Sequence, residues 1–252
     1  LGLVITSLPR VACIAGVADE SAKVRTLTLD LHLAAEPGQF VMAWLPGLDE
    51  KPFSLTRADP VTLTVARVGP FSTAIHALNA GDCLWLRGPL GNPFTLPNHP
   101  ISQLLLIGGG YGVAPLHFLA ERACAAGWGV NVVIGARTAV DVVFVERFAA
   151  LGARVAVTTD DGSLGQQGVA TDAAARVLDS APHQALYACG PEPMLDAVER
   201  LALDRGLPAQ LSYERTMRCG FGVCGSCARQ GWLVCRDGPV RQVDGKKEKR
   251  KE

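Results

Sequence analysis

Cys219, Cys224, Cys227 and Cys235 form a C-x4-C-x2-C-x7-C pattern near the C-terminus. Its C-x4-C-x2-C part is the plant-type spacing for thiolates around a 2Fe–2S cluster. Such a cluster needs four thiolates converging on two irons, with backbone wrapped closely around the sulfides. Gly220, Gly222 and Gly225 lie among the cysteines, suit that wrapping, and offer N–H groups to the sulfurs. A zinc ribbon, built from two C-x2-C units over a longer spacer, is the alternative, but only one such unit exists here. A disulfide pair is disfavoured without a secretory leader. Of the eight cysteines, Cys13, Cys83 and Cys124 sit in apolar settings and are expected to be inert core residues.

A second motif runs Gly108-Gly109-Gly110-Tyr111-Gly112-Val113-Ala114-Pro115, directly after the apolar run Leu104–Ile107. A glycine-rich turn from strand to helix lets backbone N–H groups approach a pyrophosphate at a helix N-terminus. The acidic ribose ligand of the usual dinucleotide fingerprint is absent, and the next strand ends in Arg137, which suits either a 2′-phosphate or a plain surface position, so the run does not decide between NAD and NADP. A tight structural turn is the plainer reading of the run taken alone. A third segment, Lys51-Pro52-Phe53-Ser54, gains weight only from its neighbours. His32, His76, His99, His117 and His183 are scattered and read as structural, and no catalytic dyad is evident.

These residues need elements to hold them. Before residue 98, short strands are expected at Val24–Leu33, Phe40–Leu45, Phe53–Thr56, Val61–Val68 and Cys83–Arg87, with one helix over Ser72–Leu78. Such spacing suggests a small antiparallel barrel. From Pro97–Pro100 the texture changes. Strands at Leu104–Ile107, Val130–Ile134, Arg154–Thr158 and Ala185–Ala188 alternate with helices at Val113–Ala126, Val142–Leu151, Thr171–Ser180 and Pro193–Arg205. That alternation indicates a doubly wound parallel α/β sheet. The expected fold class is therefore α/β plus β, divided into an antiparallel barrel (residues 1–98), a dinucleotide-binding α/β domain (99–207), a cluster segment (208–245) and a charged tail (246–252).

Hydrophobic residues make up 48% of the 252, with a mean hydropathy of +0.21, which excludes wholesale disorder. Aromatics at 6% require an aliphatic core. Formal charge is zero, but the tail Lys246–Glu252 holds five cations and two anions, leaving 19 cations against 22 anions elsewhere. A body near −3 does not suit nucleic acid. Leu1–Arg10 lacks the features of a leader, and Leu104–Ala120 is too rich in glycine for a membrane span. A soluble, cytoplasmic protein is expected.

Taken in order, the segments resemble the ferredoxin–NADP reductase superfamily, and within it the electron-transfer subunits of NAD-dependent (type B) dihydroorotate dehydrogenase. Lys51–Ser54 resembles the family's Arg-Pro-aromatic-Ser flavin segment, with Lys for Arg, which keeps the charge and loses the bidentate fork. Gly69-Pro70-Phe71-Ser72-Thr73 resembles its second flavin segment, and Gly88–Phe94 the GPLGNxF end of the barrel. Gly108–Pro115 resembles GGGxGxxP, Thr159–Gly165 the TDDGSxG loop, and Cys189-Gly190-Pro191-Glu192-Pro193-Met194 the CGPxPM segment beside the nicotinamide. Ser212–Gly220 and Cys235–Val240 resemble the lead into the cluster and the way out of it.

The resemblance implies FAD, a 2Fe–2S cluster and NAD as cofactors. Lys51 and Thr73 would meet the flavin phosphates and Ser54 the flavin N5 region, with Pro52, Phe53, Gly69 and Ser72 completing the site. Gly108, Gly110 and Gly112 would admit the dinucleotide, with Cys189 and Gly190 near the nicotinamide. The four C-terminal cysteines would bind the metal. A flavin can exchange hydride with nicotinamide and single electrons with the cluster. The implied partner is an FMN-containing dihydroorotate dehydrogenase subunit, in a heterotetramer. The rivals are a reductase subunit of another complex (sulfhydrogenase, sulfite reductase or ferredoxin-dependent transhydrogenase) and a zinc-stabilised binding module.

Overall fold

A computed structural model describes residues 8–98 and 103–245, the side chains of residues 183 and 184 aside. His99, the side chain of His183 and the charged tail Lys246–Glu252 lie outside the described residues. The chain divides into two compact units. One holds the chain up to Pro93 together with Arg215–Pro239, and the other holds Phe94–Glu214 with the chain from Val240.

The first unit is built on strands β1 (Arg10–Ser21), β2 (Val24–Leu29), β3 (Phe40–Leu45), β4 (Asp49–Ala58) and β5 (Val61–Ala66), helix α1 (Pro70–His76) and strand β6 (Cys83–Leu90). The strands close into an antiparallel barrel in the order β1-β2-β5-β4-β3-β6. Inward residues such as Ile14, Leu27, Leu29, Val41, Leu55, Leu63, Leu84 and Leu86 fill it, each 2% exposed or less. Strand β1 has no counterpart among the expected strands. Its register shifts between Ile14 and Gly16, a bulge that breaks the alternation on which strand reading depends, and Val17 beyond it faces solvent.

The seam between β6 and β1 corrects one expectation. Cys13 and Cys83 are not inert core residues. They are half-exposed cross-strand partners, joined by a disulfide across 70 residues of sequence. Cys124, the third cysteine of that group, is half-buried and free.

The second unit carries β7 (Gln103–Gly109), α2 (Val113–Ala125), β8 (Gly129–Ala136), α3 (Val145–Ala150), β9 (Arg154–Thr159), the short β10 (Gln166–Gln167), α4 (Ala170–Ser180), β11 (His183–Cys189), α5 (Glu192–Arg205) and β12 (Ala209–Ser212). Helix α3 starts three residues later than expected because Phe144 precedes it in the left-handed region, at φ 73°. The chain then gives the first unit a two-strand ribbon, β13 (Ala228–Arg229) and β14 (Trp232–Leu233), and the short helix α6 (Val234–Asp237). Finally β15 (Val240–Val243) pairs antiparallel with β12.

The seven-stranded sheet runs β10-β9-β8-β7-β11-β12-β15, all parallel except for β15. Leu104, Leu105, Leu106 and Ile107 on β7 are fully buried, as a strand covered on both faces requires. The expected division at 208–245 needs revision. Ala209–Ser212 and Val240–Val243 are sheet strands of the second unit, and Arg215–Pro239 alone joins the barrel.

Because the Cys13–Cys83 link bridges a long loop at the barrel's closing seam, reduction should lower unfolding stability by about 2–4 kcal/mol. A Cys13→Ser, Cys83→Ser double variant should melt at the same temperature with and without dithiothreitol, whereas the unaltered chain should not. Identical melting of the oxidised and reduced chain would remove the cross-link from the stability account.

Candidate functional site

The cysteine loop begins where Met217 turns inward at 5% exposure, and it ends at α6. The four sulfurs stand as two pairs. Cys219 and Cys224 hydrogen-bond each other, and the Cys227 and Cys235 sulfurs are 3.2 Å apart. Two pairs of thiols are what two bridged irons require. Backbone donors already face the sulfurs. Gly222 N–H points at Cys235 Sγ (3.2 Å), Val223 N–H at Cys219 Sγ (3.4 Å) and Cys235 N–H at Cys227 Sγ (3.4 Å).

The seven-residue gap before Cys235 is short, and the ribbon explains how it suffices. Gln230 and Gly231, between β13 and β14, have φ of 45° and 86°. Positive φ at both central residues is the signature of a tight type I′ hairpin turn, which returns the chain at once.

The thiols differ in character. Burial opposes ionisation of Cys219, but N–H groups of Cys224, Phe221 and Val223 outweigh it and lower its pKa. The Ser226 hydroxyl and amide, with Cys219 adding to them, bring Cys224 down to about 6. Burial and the adjacent Cys227 push Cys235 up to about 12. Metal binding at such a site would therefore release the proton of Cys235. The residues present fit a 2Fe–2S cluster.

The flavin segment lies on β4, where Met42↔Pro52, Val41↔Phe53 and Phe40↔Ser54 pair with β3. Phe53 stacks on Phe71 of α1, with ring centroids 6.1 Å apart at 26°, so the two segments singled out from sequence are neighbours. Lys51 is paired with Asp49. Thr73 is exposed, whereas the buried Ser72 hydroxyl accepts from Val68 and Gly69 N–H and donates to Gly69 C=O. Ser72 thus holds the turn, while Lys51, Ser54 and Thr73 keep side chains at least partly in solvent. Helix α1 starts at Pro70, two residues before the expected start, and so carries Phe71 against Phe53.

In the second unit strand order reverses at β7, which lies between β8 and β11. Ligands of open α/β sheets bind at the carboxyl ends of strands at such a point. The Gly108–Gly112 turn sits there, with Gly108 paired to Cys189. An added Cβ at Gly112 would stand 2.4 Å from the Cys189 carbonyl oxygen, and one at Gly109 2.7 Å from Pro191 Cδ. Gly110, at φ +54°, has nothing within 4 Å of that position, so the turn is packed on one side and open on the other. Cys189 is buried, and burial raises its thiol pKa well above the ordinary range. It is a packing residue here, not a thiolate.

Around Cys189 stand three residues that sequence reasoning did not place. Ser212 pairs with it and hydrogen-bonds its thiol. Tyr111 is raised by burial and by Glu214. Glu214, whose side chain reaches solvent although protein crowds its carboxyl, is raised by loss of hydration. Ser212 and Glu214 look in sequence like the lead into the cysteine loop, yet β12 delivers them to the nucleotide sheet.

Barrel, switch-point sheet and cysteine loop follow the plan of ferredoxin–NADP reductase-like electron-transfer proteins. Comparison with known proteins narrows this class. Residues 214–245 match the iron-sulfur cluster binding domain of dihydroorotate dehydrogenase B, and residues 106–200 the oxidoreductase NAD-binding domain. The chain is 41% identical over 242 residues (93% of this chain, 89% of the relative) to the probable dihydroorotate dehydrogenase B (NAD(+)) electron transfer subunit of Methanothermobacter thermautotrophicus. It is 38% identical over 235 residues (92% and 89%) to the protein so named in Methanocaldococcus jannaschii. Among solved structures, a chain of the NADH-dependent reduced ferredoxin-NADP oxidoreductase, described for flavin-based electron bifurcation, superposes with a TM-score of 0.80 at 29% identity over 95% of this chain and 90% of that one.

The chain belongs to the family of dihydroorotate dehydrogenase B electron-transfer subunits. It is an NAD(H)-linked flavin and 2Fe–2S oxidoreductase subunit that joins a partner dehydrogenase to NAD. Among the described residues no helix is long and apolar enough to cross a membrane.

The close approach at Gly112 gives a direct test of the nucleotide site. A Gly112→Val variant must push the turn off the Cys189 carbonyl, and reduction of the flavin by NADH should fall about tenfold or more in kcat/KM, about 1.4 kcal/mol. The visible bands of the cluster should not change. Unaltered NADH kinetics would place the dinucleotide elsewhere.

Proposed function

We propose that this chain carries electrons between NAD and an FMN-containing dihydroorotate dehydrogenase subunit, in a heterotetramer, so that dihydroorotate oxidised on the partner delivers its electrons here. The observation that carries the reading is the pairing of the four cysteine sulfurs two by two within a segment that matches the dihydroorotate dehydrogenase B cluster domain. The names of the relatives support the substrate. Bound FAD exchanges hydride with nicotinamide and single electrons with a 2Fe–2S cluster, which no amino-acid side chain can do.

In this reading the chain's own residues bind and orient. Lys51, now paired with Asp49, and the exposed Thr73 hydroxyl would hold the flavin phosphates. Ser54 would offer its hydroxyl to the flavin N5 region. Pro52 and Phe53 shape that wall, and Gly69 and Ser72 set the turn that presents Thr73. Gly108, Gly110 and Gly112 would let the dinucleotide backbone come close, with Cys189 and Gly190 packed against that turn. Cys219, Cys224, Cys227 and Cys235 would hold the 2Fe–2S cluster. Thiolate ligands need a reducing compartment, which favours the cytoplasm, and in that compartment the Cys13–Cys83 pair would be kept largely reduced.

The similarity to the bifurcating ferredoxin–NADP oxidoreductase supports a second reading, a reductase subunit of a ferredoxin-dependent complex. Purification of the intact complex with identification of its subunits separates the two. A dihydroorotate-oxidising partner supports the first reading, and a ferredoxin- or sulfur-linked partner replaces it with the second. A colourless protein containing zinc overturns both. Within the chain, Cys224→Ser should abolish the cluster's visible absorbance while leaving FAD bound at about the ordinary stoichiometry. Equal loss of FAD would contradict separate sites.

A further inference from the structure

Arg87 on β6 is 9% exposed, and its guanidinium makes contacts that neither the flavin nor the nucleotide reading uses. Its Nε and Nη2 donate to the two carboxylate oxygens of Glu50, at 3.1 and 2.9 Å. Nη2 also donates to the Cys219 carbonyl oxygen at 2.8 Å. The guanidinium carbon lies 5.5 Å from the centroid of the Phe221 ring. The remaining nitrogen, Nη1, is buried and has no hydrogen-bond partner. Glu50 immediately precedes Lys51 on β4. A single side chain thus ties the flavin segment, the barrel wall and the first cysteine of the cluster loop.

We propose that Arg87 is the positioning residue of the cluster: it locks the Cys219–Cys224 loop to the barrel strand that carries the flavin segment, and it sets the cluster's potential through its charge. The proposal rests on the 2Fe–2S reading above. A bidentate Arg–carboxylate fork fixes orientation as well as position, which a lysine cannot do. The Phe221 ring over the guanidinium adds a cation–π contact on the loop side. The guanidinium that holds the Cys219 carbonyl is buried with one N–H unsatisfied, so its charge is little screened by water beside the loop that would carry a net-negative cluster. Reduction adds one electron to that cluster, so a nearby cation raises its potential and a nearby anion lowers it.

The test uses the full chain in four forms: unaltered, Arg87→Lys, Arg87→Met and Glu50→Gln. In metal-free protein, amide hydrogen exchange of residues 220–224 should quicken about tenfold in Arg87→Met and less in Arg87→Lys, while β2 and β5 exchange unchanged. In loaded protein, iron release to a chelator should quicken in the same order. The midpoint potential of the cluster should fall in Arg87→Met, which leaves Glu50 unpaired, and rise in Glu50→Gln, which leaves the cation. Shifts of opposite sign are what a purely structural role does not produce.

Loop exchange and iron release at the unaltered rates in Arg87→Met would overturn the anchoring, and potentials shifting the same way in Arg87→Met and Glu50→Gln would overturn the electrostatic part. If Arg87→Met loses FAD and fails to fold, Arg87→Lys and Glu50→Gln decide, and loop exchange at the unaltered rate in both overturns the proposal. Failure of the 2Fe–2S reading shows itself separately, as absence of iron and sulfide from the unaltered protein, and the metal-free exchange measurement still decides the role of Arg87 in the loop.

Discussion

The cluster segment, Arg215–Pro239, is too short to bury a core of its own, and chains of that size need a metal, a cross-link or a host to fold. The barrel is the host. Gly220, at φ +77°, sits where a Cβ would come within 2.9 Å of Met42 Cγ and 3.2 Å of Leu90 Cδ1, so backbone lies directly on the barrel wall. At the far end Asn92 N–H donates to Gly238 C=O (2.6 Å) and its side-chain amide to Asp237 C=O (2.8 Å). An added Cβ at Gly91 would meet Pro239 Cδ at 2.5 Å. The loop is held at its start, through Arg87, and at its end, through Asn92. Its middle, with Cys224 exposed and Val223 77% exposed, is left in solvent. Iron and sulfide are then the remaining source of order, which is how a metal site becomes part of folding.

The second unit solves a different problem with the same residue type. A pyrophosphate needs close backbone approach on one side of a turn, and the turn needs close packing on the other to stay put. Glycines at 108, 109 and 112 allow the packing, against Val113, Pro191 with Met194, and the Cys189 carbonyl respectively. Gly110 leaves the opposite side open. The fully buried Tyr187 adds rigidity on β11 by donating its hydroxyl to Thr95 C=O at 2.8 Å. Where one element must be immobile to within a few tenths of an ångström, side-chain volume is removed from it and placed in the neighbour.

The legible part of the sequence was the part governed by local rules. Cysteine spacing, a glycine turn after an apolar run, and the change from alternating to continuous apolar strands each depend on a few adjacent residues. What was not legible depends on partners distant in the chain. Strand β1 is hidden by its bulge. Strands β12 and β15, four residues each, are strands only because they pair with the sheet and with each other. The Cys13–Cys83 link follows from a register between β1 and β6 that nothing in either segment announces. Nothing in either segment pairs Arg87 with Glu50, and the barrel alone brings them together 37 positions apart. Ser212 and Glu214 show the converse. Their motif was legible, but the unit they serve was not, because assignment to a unit follows packing.

The nucleotide end carries one more consequence of long-range pairing. The usual acidic residue is missing after the second strand of the sheet unit, β8, which runs out into Arg137. Parallel pairing of β8 with β9 brings the next loop alongside: Asp160 N–H donates to Ala136 C=O at 3.1 Å and Asp161 N–H to Arg137 C=O at 3.3 Å. The Ser163 hydroxyl and amide hold the Asp161 carboxyl below its ordinary pKa. It stays an anion through the neutral range. An acidic group at this edge favours a ribose hydroxyl and disfavours a 2′-phosphate. The loop after β9 therefore sets an anion beside the arginine that ends β8, so the charge at this edge is set by two segments and not by Arg137 alone.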